Sequence, residues 1–275
     1  MEKPPIFIIG CPRSGTTLVR VILDSHPNIC CGPETHMFRD IEKFRKNILH
    51  RWNMLQPYGV DKKAINQKLK EFFLLFTENY VSTKKKKRWA EKTPDHIFYV
   101  DLIDELFPDC QFINVIRDGR DVVCSYKERW GRKTFFNAIK TWNKTINLTL
   151  IYRKKFDKKR YMEIRYEDLI SNPEMETRKM MKFIGEEWTP VLLEHHKIEH
   201  DFWFKQHGKT QGHTSHDSRE KHPMRHTPSQ PIFSSSVGRW KKKLNLIEKI
   251  LVNILLRENL IKMGYMDKKR ERIKG

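Results

Sequence analysis

The chain has 275 residues, 38% of them hydrophobic, enough for one large α/β domain or two small ones. Its 54 Lys and Arg outnumber 34 Asp and Glu to give +20, an excess that favours polyanions: a nucleotide, an acidic glycan, anionic lipid or nucleic acid. No charged-then-apolar leader is visible, and no apolar run nears the ~20 residues that span a bilayer. The five cysteines (Cys11, Cys30, Cys31, Cys110, Cys124) lack metal-ligand spacing, so the expected setting is a reducing cytoplasm.

In chain order, Ile6 to Gly10 reads as a short buried strand and Thr16 to Ser25 as a helix. Helical patterns cover about 36–50 and 61–82. The run Lys84-Lys85-Lys86-Lys87-Arg88 then reads as a hydrated turn before a strand. Further on, the pattern predicts a helix from Ile97 to Phe107, a strand over 111–116, a helix over 119–130 and a long helix over about 134–156. Tyr161 to Tyr166 reads as a strand and Pro173 to Ile184 as a helix with proline near its start. A last amphipathic helix covers 245–264, and its stripe of Leu246, Ile250, Ile254 and Leu255 is expected to pack on the core. Alternating strands and helices imply a parallel sheet with crossover helices.

Between the first strand and helix lies Gly10-Cys11-Pro12-Arg13-Ser14-Gly15-Thr16-Thr17. Loop N–H groups and a helix N-terminus at this place bind phosphate. The glycine spacing matches a P-loop, but Thr16 stands where an NTPase loop has lysine, and Arg13 is the cation instead. Glu34 follows on a loop marked by proline and glycine. Arg117 ends the strand over 111–116, at the carboxyl end where open α/β sheets bind ligands, and Ser125 lies about two turns into the next helix.

Pro12 to Thr17 resembles the 5′-phosphosulfate loop of sulfotransferases, which use 3′-phosphoadenosine 5′-phosphosulfate (PAPS). Arg117 with Ser125 resembles that superfamily's 3′-phosphate motif. Leu23-Asp24-Ser25-His26-Pro27, Cys31-Gly32-Pro33-Glu34-Thr35, Glu91-Lys92-Thr93-Pro94, Arg165-Tyr166-Glu167-Asp168-Leu169 and Ser236-Val237-Gly238-Arg239-Trp240 are most similar to tyrosylprotein sulfotransferases and their bacterial relatives. The resemblance implies a P-loop-like three-layer fold, a central parallel sheet flanked by helices, in a single domain over 1–275. It implies sulfuryl transfer from PAPS to a hydroxyl or amine acceptor, with adenosine 3′,5′-bisphosphate (PAP) as product and no metal. Arg13, Ser14, Gly15, Thr16 and Thr17 would hold the 5′-phosphate, Arg117, Ser125 and Arg239 the 3′-phosphate, and Tyr166 would line the pocket. Glu34 would be the general base and Lys92 would stabilise the bridging oxygen, with Ser229 as a further leaving-group donor. The chain departs at His36, where tyrosine-specific members carry arginine. The acceptor stays open: a glycan, a lipid-linked sugar, a small molecule or a peptide.

Two other readings compete, a P-loop nucleotide kinase or NTPase and a non-enzymatic basic polyanion-binding protein. The missing loop lysine weighs against the first. Scattered rather than clustered cations weigh against the second and against specific nucleic-acid binding. Eight of twelve histidines fall between 195 and 226. His195-His196-x-x-x-His200 has helical ligand spacing but lacks carboxylate or cysteine partners, so a lid or acceptor loop over about 195–236 is the preferred expectation.

Overall fold

Ile6, Phe7, Ile8 and Ile9 have no polar face to offer water, and three of the four are β-branched. Such a run suits a strand covered on both faces. In the computed structural model, which describes residues 3–201, 230–232 and 235–268, they form β1 (Ile6–Gly10), buried along its whole length. The chain continues through α1 (Thr16–Asp24), β2 (Ile29–Cys31), α2 (Met37–His50), α3 (Trp52–Leu55), α4 (Lys62–Thr83) and β3 (Arg88–Lys92). A 3₁₀ turn over Pro94–Tyr99 leads into α5 (Val100–Leu106), followed by β4 (Gln111–Ile116), α6 (Gly119–Trp130) and α7 (Phe135–Lys155). Then come β5 (Tyr161–Arg165), α8 (Tyr166–Ser171), α9 (Pro173–Ile184), α10 (Trp240–Lys243), α11 (Leu246–Leu255) and α12 (Arg257–Lys262).

The described strands form one parallel sheet in the order β2-β3-β1-β4-β5. Alternation along β1 sends Phe7 and Ile9 to one face and Ile6 and Ile8 to the other. The first face packs an aromatic core of Phe38, Phe73, Trp89, Phe107 and Phe112 from α2, α4, the end of α5 and the neighbouring strands. The second packs Val19, Ile22, Met180 and Ile184 from α1 and α9. A third cluster, built on Trp142, joins α6 and α7 to Val252, Leu256 and Leu260 near the C-terminus. This is the expected three-layer arrangement. From β1 the chain passes first to the β3 side of the sheet and then returns to β4 on the other side. The β1/β4 crevice is therefore the switch point, where open sheets take ligands.

Four local expectations need correction. β2 is a strand of three residues within what reads in sequence as turn-rich loop; it forms because β3 offers it an edge, pairing Cys30 with Trp89. The helix expected from Ile97 is a 3₁₀ turn as far as Tyr99 and α-helical only from Val100. Arg88 is not part of a hydrated turn but 1% exposed, its guanidinium bonded to the carbonyls of Pro4 and Ile184 and to Gln111 Oε1. The last helix breaks at Leu256, and Leu246, Ile250, Ile254 and Leu255 face solvent while Val252 meets the core.

Candidate active site

All five strands deliver a site residue at their carboxyl ends. β1 ends at Gly10, whose φ is 148°; a Cβ there would stand 2.5 Å from the Val115 carbonyl oxygen, so β1 and β4 can close on each other only with glycine between them. The loop then turns through Arg13 at φ 74° and Gly15 at φ 99°. A Cβ on Gly15 would lie 2.3 Å from Tyr166 Cδ2, so the loop rests directly on that ring at the end of β5. Ser14 and Thr16 are buried, and the Ser14 hydroxyl has no partner among the described residues. Left inside the fold, such a group costs about 1–3 kcal/mol unless something accepts its bond. The Thr16 and Thr17 N–H groups open α1, which adds its positive dipole end.

Arg117 follows β4 and lies 4.4 Å over the Tyr166 ring. It donates to the Arg13 carbonyl (3.0 Å) and the Ser236 carbonyl (2.5 Å), tying the loop to the segment that returns near the C-terminus. Its Nε is buried without a partner among the described residues. Arg13 donates to Ser125 Oγ at 3.0 Å and lies beside the Trp130 ring. Arg239 approaches from the same returning segment and pairs with Glu128 at 3.1 Å, its Nε also unpartnered among the described residues. Burial lowers the Arg13 pKa to about 10, and repulsion from Arg239, Arg129 and Arg117 adds to the effect. Crowded guanidiniums with orphan donors are what a phosphate-sized anion satisfies.

Lys92, the last residue of β3, is 3% exposed and contacts the Glu34 carboxylate, with Thr17 Oγ1 at 3.3 Å on its other side. Glu34 also faces His36 Nε2 at 3.4 Å. Desolvation pushes the Glu34 carboxyl up, but the Lys92 ammonium and the His36 hydrogen bond outweigh it and hold the pKa at about 2. The same hydrogen bond raises the pKa of His36. The Glu34 loop is fixed from below: buried Glu91 accepts from Thr35 Oγ1 (3.0 Å) and Thr93 Oγ1 (2.7 Å).

The structure thus gathers Arg13, Ser14, Gly15, Thr16, Thr17, Arg117, Ser125, Tyr166 and Arg239 at the switch point, with Lys92 and Glu34 reached through Thr17. Ser229 and His207 to His226 lie outside the described residues. His195 and His200 do not share a ligand set: His200 Nδ1 meets Asp24 Oδ2 at 2.5 Å and its Nε2 meets the His195 carbonyl. Among the described residues no group of three His, Cys, Asp or Glu could hold a metal ion. The supporting contacts of three residues escaped the sequence reading, although Ser236 was read within its motif. Ser236 Oγ bonds the Tyr166 hydroxyl at 2.6 Å. Buried Asp121 accepts from the N–H groups of Gly238 (2.7 Å) and Trp240 (2.9 Å), fixing the backbone on either side of Arg239. Trp142 donates its indole N–H to the Arg117 carbonyl. Asp121 carried a signal, since it stands four residues after Arg117; Trp142 carried none.

A parallel α/β sheet carries a glycine-bounded loop, a guanidinium cluster and a Lys–Glu pair at its switch point, an arrangement whose charge and donors suit a phosphorylated ligand. A family model described as "Sulfotransferase family" matches residues 4–190, and the chain belongs to that family. It is 31% identical over 205 residues to protein-tyrosine sulfotransferase A of Caenorhabditis elegans, covering 71% of this chain and 53% of that protein. Against the protein-tyrosine sulfotransferase of Drosophila melanogaster the identity is 33% over 206 residues, covering 72% and 41%. The chain spans about half the length of the curated relatives it matches. In fold it is similar to the sulfotransferase domain of the Synechococcus PCC 7002 olefin synthase, with TM-score 0.59, 18% identity and coverage of 94% and 96%. The sulfotransferase domain of the curacin biosynthetic pathway gives 0.58 and 18%, with coverage of 93% and 98%.

Proposed function

We propose that the chain transfers a sulfuryl group from PAPS to a hydroxyl or amine acceptor, releasing PAP. The observation that carries this reading is the set of orphan donors, Ser14 Oγ, Arg117 Nε and Arg239 Nε, in one guanidinium-lined crevice beside the Lys92–Glu34 pair. The loop from Arg13 to Thr17 would hold the 5′-phosphate with its N–H groups and hydroxyls. Arg117, Ser125 and Arg239 would hold the 3′-phosphate, and Tyr166, under the loop and beside Arg117, would form the wall between them. Ser229 remains a proposed leaving-group donor on the motif resemblance alone.

In the transfer, the acceptor oxygen bonds to sulfur as the bridging S–O bond breaks, and the bond's electrons leave with the 5′-phosphate. Glu34 takes the acceptor proton. A carboxylate held at about 2 by an ammonium is a weak base. Lys92 also contacts Thr17 of the phosphate loop, and from there it would reach the departing oxygen. Its movement toward that oxygen serves both ends: it neutralises the leaving charge and raises the basicity of Glu34. Charge stabilisation then rests on Arg13, Arg117 and Lys92, and donor binding should survive chelation of divalent metals.

The acceptor class follows less directly. Tyrosine in a peptide is the acceptor named for the relatives, and glycan, lipid and small phenolic hydroxyls meet the same chemistry here. All five cysteines are free and buried, and a reducing, cytoplasmic setting remains part of the proposal. The deciding experiment is calorimetric titration with PAP in the presence of a chelator and with magnesium-ATP. Micromolar PAP binding with weak ATP binding is expected. Tight magnesium-ATP binding that ignores a 3′-phosphate would replace the reading with a P-loop kinase.

A further inference from the structure

The C-terminal helices leave an apolar face in water. Val252 of α11 is buried in the Trp142 cluster with Leu256 and Leu260. On the opposite side Leu246, Ile247, Ile250 and Ile254 are 73%, 69%, 50% and 63% exposed. At 3.6 residues per turn Leu246, Ile250 and Ile254 stack along one line, with Ile247 beside them. Contiguous large aliphatics exposed this way mark a surface that meets something apolar.

The charge around the face says what that is. Lys241, Lys242 and Lys243 of α10 are all exposed and lead into the N-terminal end of α11. The only acid within α11 is Glu248, and Lys127 engages both of its oxygens at 2.7 Å while Arg132 acts on the same carboxylate. The face therefore offers aliphatic side chains together with lysines that have no carboxylate partner among the described residues. A second copy of the chain is a poor match. Ten residues of helix extend about 15 Å, too little for the roughly 800 Å² per partner of a stable interface. Two copies at +20 each would also repel.

We propose that this face of α11, with Lys241 to Lys243, seats the protein on an anionic lipid surface as an interfacial helix. The aliphatic side chains enter the boundary between headgroups and acyl chains, and the lysines meet the headgroups. The lysine run follows directly on Arg239 and Trp240, so seating would hold the edge of the candidate active site near the bilayer. The proposal does not depend on the sulfuryl-transfer reading.

The test is co-sedimentation of the full chain with vesicles of phosphatidylcholine alone and of phosphatidylcholine with phosphatidylglycerol, at low and at moderate salt. Binding is expected only with the anionic lipid. A protein at +20 will show some purely electrostatic attachment, so the informative variant keeps the charge constant. Ile250→Ser with Ile254→Ser should weaken vesicle binding about tenfold or more at moderate salt. Leu246→Ser with Ile247→Ser should do the same from the other end of the face. Changing Lys242 and Lys243 together to Ala should weaken binding by roughly fivefold per residue. Wild-type binding by both serine variants would reduce the attachment to general electrostatics and overturn the proposal. So would equal binding to both vesicle types, or a dimer in sedimentation equilibrium that the serine variants dissociate.

Discussion

Arg117→Lys separates ligand recognition from scaffolding. In the folded chain Arg117 makes two bonds to carbonyls, at 3.0 Å to Arg13 and 2.5 Å to Ser236, and lies 4.4 Å over Tyr166. Lysine keeps the charge and can keep one of those bonds. The lost charge-assisted bond removes about 1.5–3 kcal/mol, and loss of the stacked guanidinium about 0.5–1 kcal/mol more, so unfolding free energy should fall by about 2–4 kcal/mol. Denaturant midpoints measure that part. Binding adds an independent loss. A point charge in place of a fork gives up about one charge-assisted bond to a 3′-phosphate, equal to about 10- to 150-fold in Kd. Calorimetry with PAP and with adenosine 5′-monophosphate, which lacks the 3′-phosphate, isolates it. The variant should bind PAP at least tenfold more weakly and the monophosphate nearly as well as the unaltered chain. Equal losses on both ligands would mean that Arg117 only holds Arg13 and Ser236 in place. Unaltered PAP affinity would remove Arg117 from the 3′-phosphate site altogether.

Glu34→Gln should leave PAP affinity within about threefold of wild type and cut turnover by ~10²–10⁴-fold, the range of a positioned base; steady-state rates with any acceptor found by screening would check it, and a normal rate would remove Glu34 from proton transfer. The Lys92–Glu34 contact predicts a titration shift. The wild-type carboxyl sits at about 2, below its ordinary 4.5, so its contribution to stability is complete above pH 4.5 and is lost as pH falls toward 2. In Lys92→Met the ammonium that lowers it is gone, and carbon-13 NMR should find the Glu34 carboxyl titrating above about 2. If it stays there, Lys92 is not what holds it. His195 predicts acid sensitivity elsewhere. Burial, with its neighbours His196 and His200, depresses it from 6.5 to about 4, so the unfolded chain takes up a proton first. Stability should therefore decline as pH falls from about 6.5 to about 4, and His195→Phe should flatten that part of the denaturation profile.

The residues legible in the sequence are those whose role is fixed by nearby backbone. Gly10, Arg13 and Gly15 are recognisable because strand, tight loop and helix follow within a dozen residues, and Arg117 because it ends a run of buried apolar residues. In a parallel sheet every strand end opens on the same edge, so identifying two such ends nearly locates the site. Glu34 and Lys92, separated by 58 positions, were read from the family resemblance of their motifs, and the shared edge is why they meet in the fold. What escaped reading depends on what arrives from elsewhere. β2 is a strand only because β3 supplies an edge, and Arg88 is buried only because Pro4, Gln111 and Ile184 supply acceptors from distant positions. Asp121 and Ser236 matter because a segment more than a hundred residues later in the chain returns to close the crevice over Arg117. The stripe on the last helix shows the limit most clearly. Leu246, Ile250 and Ile254 have the spacing of a core-facing row, yet the core contact goes to Val252 and, past the break at Leu256, to Leu260. Periodicity states that a helix has an apolar face. Which of two apolar faces the core accepts is decided by the α6 and α7 side chains gathered around Trp142, whose positions no local pattern contains. An apolar face left over in this way is therefore a place to look for a partner, not an error in the fold.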